Sequence, residues 1–347
     1  MMDGGDTIRM PHETPPAPGE AIELAEGVLW LRQPLPMRLD HVNIYALDDG
    51  DGWTIVDTGM STRKSRAVWQ QALDGPLSGK PVRRVLVTHH HPDHMGLAGW
   101  FQTDHGAELV TTRTAWLFAR MLQLDEQAVP ADETLAFWRA AGMDTAIYDA
   151  RTRERPFNFA DVVAPMPLGF RRIRQDDRIR IGGRDWDVHI GNGHAPEHAT
   201  LWSTDGELVI GGDQLLATIS PNLGVYATEP EADPVAEWLE ACERLSAYAT
   251  GQQLVLPGHK LPFTGLPRRM RQLIDNHHGA LARLLDHIAT PHTAAECFAP
   301  LFQRSIGEGE YGLALVKSVA HLNHLLATGQ ASRTRRDDGA WLWQRRE

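Results

Sequence analysis

Cysteine is scarce in this chain, with only Cys242 and Cys297 among 347 residues. Neither belongs to a CxxC pair, so both read as buried thiols in a reducing compartment rather than as a disulfide or as metal ligands. Positive charge is also in short supply: 34 Lys and Arg against 45 Asp and Glu leave a net charge of −11 with histidine neutral. A generic polyanion binder, which holds phosphates mainly through Lys and Arg, is therefore not expected, although a local basic patch would still be compatible with the totals. No apolar run approaches the roughly 18 residues of a membrane span. The first 20 residues are rich in Pro, Gly and acid and lack the basic start and apolar centre of a secretory signal. These absences lead to the expectation of a cytoplasmic protein without a membrane partner, carrying a flexible tail over residues 1–20.

What remains is ordinary for a soluble globular protein, 42% hydrophobic and 23% charged. The length suits two domains. Between residues 27 and 58 the segments GVLWLRQ, HVNIYAL and WTIVDTG read as strands, the last two joined through the turn-forming DDGDG. A capped helix over 61–74, a strand over 82–88, a helix over 95–103 and a strand over 107–112 follow. Residues 114–145 carry bulky side chains at helical spacing and read as a two-helix insert. Strand patterns resume over 170–193, 199–213 and 253–259, with a helix over 234–248. This alternation predicts an α/β sandwich over 21–265. From Leu266, three helices (266–289, 293–303, 311–328) and a hairpin give the order of a winged helix-turn-helix over 266–347.

The most informative stretch is VLVTHHHPDHMG, residues 85–96. It is no expression tag, since it lies inside the chain, contains a Pro-Asp and follows a strand. In a turn leaving a strand end, His89 and His91 can aim at one point while Asp93 and His94 aim at another a few ångströms away, which suits two metal ions. Pro92 stiffens that turn. A zinc ion takes about four ligands, so more must come from elsewhere. His194 in GNGHAPEH, Asp213 in LVIGGD and His259 in LVLPGHK each follow a strand, where ligands gather in α/β folds.

The set VDTG (Asp57), THHHPDH (His89, His91, Asp93, His94), GHAPEH (His194), GGD (Asp213) and LPGHK (His259) resembles, in order and spacing, the metallo-β-lactamase superfamily of hydrolases. The resemblance covers 21–265, and the C-terminal segment resembles the branch that carries a winged helix. It implies an αββα sandwich and a site for two metal ions, usually Zn2+, with iron or manganese as alternatives. It also implies that His89, His91 and His194 hold the first ion, Asp93, His94 and His259 the second, and that Asp213 bridges them. His90 has no place in this scheme and is expected to point away, behind the ligands or into solvent.

In such a site a metal-held hydroxide is the expected nucleophile, with Asp93 as the catalytic carboxylate that orients it. Asp57 reads either as a turn cap or, preferred, as the carboxylate that orients a metal-bound imidazole from behind. His198 is expected near the site but outside the ligand set, and Glu197 stands where many relatives have glycine. Trp116, Phe118, Met121, Leu122, Phe137, Trp138 and Met143 of the insert either roof a pocket or pack its own helices. The roof reading favours a small-molecule substrate with an apolar acyl portion, hence a thioester of the acyl-CoA type or a lactone. The alternatives are a metal-dependent ribonuclease and, more weakly, a non-catalytic nucleic-acid-binding regulator. The third C-terminal helix holds a single basic residue, Lys317, so the arginines of the hairpin read as a solvated wing or a homodimer contact rather than a nucleic-acid surface.

Overall fold

Strand His41–Asp48 shows how the sequence builds the core. Successive side chains point to opposite faces: Val42, Ile44 and Ala46 enter one apolar cluster, Tyr45 and Leu47 another. A strand buried on both faces reads as an unbroken apolar run, which is what HVNIYAL is. The computed structural model describes residues 7–347. The first sheet has seven strands in the order β1 to β7, namely β1 (Ile22–Ala25), β2 (Val28–Pro34), β3 (His41–Asp48), β4 (Trp53–Val56), β5 (Val82–Leu86), β6 (Glu108–Thr111) and β7 (Arg171–Arg172). The second contains β8 (Arg178–Ile181), β9 (Arg184–Gly191), β10 (His198–Ser203), β11 (Leu208–Gly212) and β12 (Leu254–Pro257), in the order β12-β11-β10-β9-β8. The sheets face one another across Trp30, Tyr45, Trp186, Val188, Leu201 and Ile210. Trp69 and Phe101, packed edge to face at 4.8 Å, and Ala115 cover the outer face of the first sheet.

These covering residues come from α1 (Arg63–Asp74), α3 (Ala98–Asp104) and α4 (Arg113–Leu124); the short α2 (Pro92–Met95) lies in the histidine turn. Helix α1 starts where its cap predicts, with Thr62 Oγ1 accepting from the Ser65 N–H at 3.0 Å. Residues 1–6 of the expected tail lie outside the described residues. Beyond them, Arg9 exchanges two backbone hydrogen bonds with Thr264.

Two compact units are distinguished by their internal contacts. Among the described residues, one comprises 7–126, 158–221 and 245–270, the other 127–157, 222–244 and 271–347. Helix α4 falls in the first, while α5 (Asp132–Ala140) and α6 (Thr145–Arg151) fall in the second. The sequence reading passed over α6, although Asp144 caps it by accepting from the N–H groups of Ala146 and Ile147. Helix α7 (Pro234–Ser246) precedes β12, and α8 (Leu266–His287) follows it. The helix expected over 293–303 is instead a 3-10 turn (Ala295–Cys297) and the five-residue α9 (Phe298–Phe302). Pro300 lacks the N–H that would bond the Glu296 carbonyl. Helix α10 (Tyr311–Ala327) then leads to a hairpin, β13 (Ala331–Arg335) with β14 (Trp341–Arg345). Both cysteines are buried, and burial pushes the Cys297 thiol up to about 12. No helix of the described residues is long and apolar enough to cross a membrane.

The second unit contains a buried imidazole pair. His321 Nδ1 bonds the Lys317 carbonyl at 2.8 Å, and its Nε2 meets His277 Nδ1 at 3.2 Å. Burial first, then the neighbouring positive groups, lowers the pKa of His277 to about 2 and of His321 to about 3. The charged or titratable neighbours are Lys317, His278, His324 and Asp233. Because the folded values lie below the ordinary 6.5, the unfolded chain takes up protons first as pH falls. This contribution is complete above pH 6.5 and is lost progressively below it, at about 2 kcal/mol per histidine by pH 5. Urea midpoints of the His277→Phe variant are expected to fall less steeply between pH 7 and 5 than those of the wild type; parallel curves would contradict the assignment.

Candidate metal centre

Two parallel pairings, β4 with β5 and β11 with β12, bring the C-terminal ends of these strands to the edge where the site forms. Asp57 follows β4, the histidine turn follows β5, His194 follows β9, Asp213 follows β11 and His259 follows β12. The sheets are tied together at this edge. The Ala199 N–H donates to the Thr88 carbonyl at 2.8 Å, and the Asn43 N–H to the Gly258 carbonyl at 2.7 Å.

The candidate ligands converge. His89 Nε2 lies 3.0 Å from His91 Nδ1, which lies 3.1 Å from His194 Nε2. A second group comprises Asp93, His94 and His259, with His259 Nε2 at 3.3 Å from Asp93 Oδ2. Asp213 stands between them: its Oδ2 is 3.4 Å from His194 Nε2 and 3.2 Å from His259 Nε2, while its Oδ1 is 3.5 Å from His94 Nε2. All seven residues read from the sequence as ligands are therefore brought together.

The donor set fits cations. Burial, then the neighbouring imidazoles, holds His89 and His91 well below the ordinary histidine value, so both keep free lone pairs. Burial opposes the charge of Asp213, but His259 and His94 outweigh it and hold the carboxylate well below its usual range. Burial likewise opposes a charged His259, yet Asp213 and Asp93 raise it to about 10. Two atoms facing this cluster, His94 Nε2 and Asp213 Oδ1, are buried without a hydrogen-bond partner. Such orphans are costly unless a bound group satisfies them, and convergent nitrogen and carboxylate donors suit a divalent ion.

Around the donors lies a supporting layer. Asp57 accepts from the Thr88 N–H at 2.8 Å and meets His94 Nδ1 at 2.8 Å, while the His41 carbonyl accepts from His259 Nδ1 at 2.8 Å. The Asp213 N–H donates to His198 Nε2 at 3.1 Å, and the His198 ring stacks on His89 at 4.6 Å. Thus His198 sits against the ligands without joining them. His90 is buried rather than open to solvent, its ring between His91 and Phe118 of α4. Sequence reasoning missed Thr88, Asn43 and His41. Only Asn43 leaves a trace, as an amide inside an apolar strand; its side chain bonds Trp30, Arg32 and the carbonyls of Pro257 and Lys260.

Gly258 is missing from the sequence reading too, yet the site needs it. A Cβ there would stand 2.2 Å from Asp213 Oδ1 and 2.8 Å from His94 Cε1. The residue cannot retreat, since its N–H donates to Gly212 and its carbonyl accepts from Asn43. Gly258→Ala is expected to lower metal affinity at least about tenfold and stability by about 1–3 kcal/mol. Metal titration and thermal melting test this, and unchanged affinity would mean that the loop yields elsewhere.

Comparison with known proteins agrees with this geometry. The family model described as metallo-beta-lactamase superfamily matches residues 37–269, and that described as metallo-beta-lactamase-like, C-terminal domain, matches residues 281–346. The chain is 26% identical over 310 residues to a protein of Bacillus subtilis (strain 168) named as a probable metallo-hydrolase, covering 87% of this chain and 93% of that one. It is 23% identical over 262 residues to a linear primary-alkylsulfatase of Pseudomonas sp., covering 71% of this chain but 48% of that longer protein. Among solved structures, a beta-lactamase domain protein from Burkholderia ambifaria superposes with a TM-score of 0.90 at 37% identity over 99% of both chains. A metallo-beta-lactamase family protein from Thermus thermophilus reaches 0.78 at 27% identity, over 93% of this chain and all of the other.

Proposed function

Because the chain belongs to the metallo-β-lactamase superfamily and is a metal-dependent hydrolase, we propose that it cleaves an ester-like bond, a thioester of the acyl-CoA type or a lactone, at two metal ions. His89, His91 and His194 would hold one ion, Asp93, His94 and His259 the other, and Asp213 both. Bound divalent ions, Zn2+ foremost, supply Lewis acidity: they bring the pKa of water toward neutrality and polarise a substrate oxygen. The chain's residues do the rest. Asp93, the more exposed of the two carboxylates in the ligand cluster, would accept the proton of the attacking water. Asp57 keeps the His94 ring in place, and Thr88 in turn holds Asp57.

The observation that carries the choice of bond is on α4. Phe118 touches His90 beside the ligands, while Leu117, Met121 and Leu124, spaced along one face, are 52%, 45% and 66% exposed. An exposed apolar strip on the helix whose Phe118 packs against His90 suits an acyl chain. Nucleic acid fits less well. We read the last segment as winged-helix-like, but α10, in the place of a recognition helix, is buried along most of its length. Several hairpin arginines are engaged internally, Arg333 with Glu231 and Trp341, Arg336 with Asp338.

Metal-stripped and reloaded protein should be assayed against acyl-CoA thioesters, lactones, alkyl sulfates and single-stranded RNA. Metal-dependent turnover of thioesters or lactones is expected. Cleavage of RNA with no turnover of esters would overturn the proposal, and turnover of alkyl sulfates alone would move it to the chemistry of that relative.

A further inference from the structure

Five non-glycine residues among those described have a left-handed backbone: Asp57 (φ 61°), Asp176, Glu197 (φ 50°), Lys260 (φ 70°) and Gln303. Side chains other than glycine adopt this region at a cost, and such outliers gather where function holds them. Three of the five stand at the candidate site: Glu197 and Lys260 on the loops that carry His194 and His259, and Asp57 on the loop after β4, against His94. Two of these three have an evident role: the Asp57 carboxylate bonds Thr88 and His94, and Glu197 accepts from the Thr114 N–H that opens α4.

Lys260 is the third, directly after His259. Its strained backbone is clamped from both sides. The N–H donates to His41 Nε2 at 3.0 Å, and the carbonyl accepts from Arg32 Nη2 at 2.8 Å and Asn43 Nδ2 at 2.9 Å. All three clamps would hold a glycine equally well, because they grip only main-chain atoms. The ammonium makes no ion pair with any described residue; the carboxylate it influences, Asp40, is largely exposed on the rim beside His41. The left-handed backbone of Lys260 is thus held by contacts that do not use its side chain, and its ammonium forms no ion pair with a described residue.

We propose that Lys260 is a specificity-determining residue that binds an oxyanion of the substrate, a carboxylate or sulfate within a few bonds of the scissile centre. This rests on the proposed hydrolysis at the adjacent metal site and narrows its substrate class. The favoured substrate joins an apolar portion, lying along α4, to a negative charge near the cleaved bond.

The test compares succinyl and butyryl thioesters of pantetheine, matched in acyl length and differing in one carboxylate, on the metal-loaded protein and its Lys260→Gly, Lys260→Gln and Lys260→Arg variants. The glycine and glutamine variants are expected to lose about tenfold to a hundredfold in kcat/KM for the succinyl substrate, keep the butyryl rate and bind metal as the wild type does. The arginine variant should keep most of the preference. An unchanged succinyl-to-butyryl ratio in the glycine and glutamine variants overturns the inference even if both substrates turn over. If neither turns over, the hydrolysis reading is what fails, and calorimetric affinities for the same pair decide about Lys260: loss of a succinyl preference in those two variants supports it, and equal affinities in all four proteins refute it.

Discussion

Asp213→Ala is expected to leave the protein with little of either metal and to lower kcat by roughly 10³-fold or more, beyond the 10–100-fold typical of losing an outer partner. His259→Ala is expected to retain close to one ion per chain. The asymmetry follows from placement. Asp213 Oδ2 is within 3.4 Å of ring nitrogens from both groups, His194 and His259, and its Oδ1 faces His94. Among the described residues no other carboxylate spans the two, since Asp93 approaches only His94 and His259. Removing Asp213 would therefore delete a donor from each proposed site and the negative charge that would help balance two cations, whereas His259 belongs to the second group alone. Elemental analysis of the two variants after identical loading checks the difference. An Asp213→Ala protein carrying a full complement of both metals would contradict the bridging role.

What the sequence made legible follows the range of each interaction. His89, His91, Asp93 and His94 lie within six positions, and their spacing alone suggests two points of convergence. His194, Asp213 and His259 could be joined to them only because each follows an apolar strand and because the order of motifs resembles a known family. Contacts made through the main chain left no such mark. Gly258 is crowded by atoms of Asp213 and His94, both far away in sequence. His41 reaches His259 through a carbonyl that any residue would possess. Helices show the same division. The end of α1 next to Thr62 is set by local capping and the shortening of α9 by the N–H that Pro300 lacks, whereas the distribution of residues 114–145 between two compact units depends on packing that periodicity does not encode.

Asp57→Asn isolates one proton at the edge of this site. Asp57 Oδ1 accepts from the Thr88 N–H at 2.8 Å, a buried donor that an asparagine must continue to satisfy with its own oxygen. The amide nitrogen would then face His94 Nδ1, where the carboxylate Oδ2 now stands at 2.8 Å. An amide nitrogen only donates, so Nδ1 must become the acceptor and the ring proton must move to Nε2. That nitrogen is the buried, unpartnered atom aimed at Asp213 and Asp93. A protonated Nε2 has no lone pair for a cation. Backbone strain does not explain the effect, because asparagine tolerates the left-handed conformation of Asp57 at least as well as aspartate does. The variant is expected to melt near the wild type when both are metal-free, to bind the second ion about 100-fold more weakly and to lose about 10³ to 10⁴ in kcat, the scale seen when a catalytic imidazole is held in the wrong tautomer. Wild-type affinity at both positions would show that Asp57 serves the turn alone and that His94 is oriented by something else.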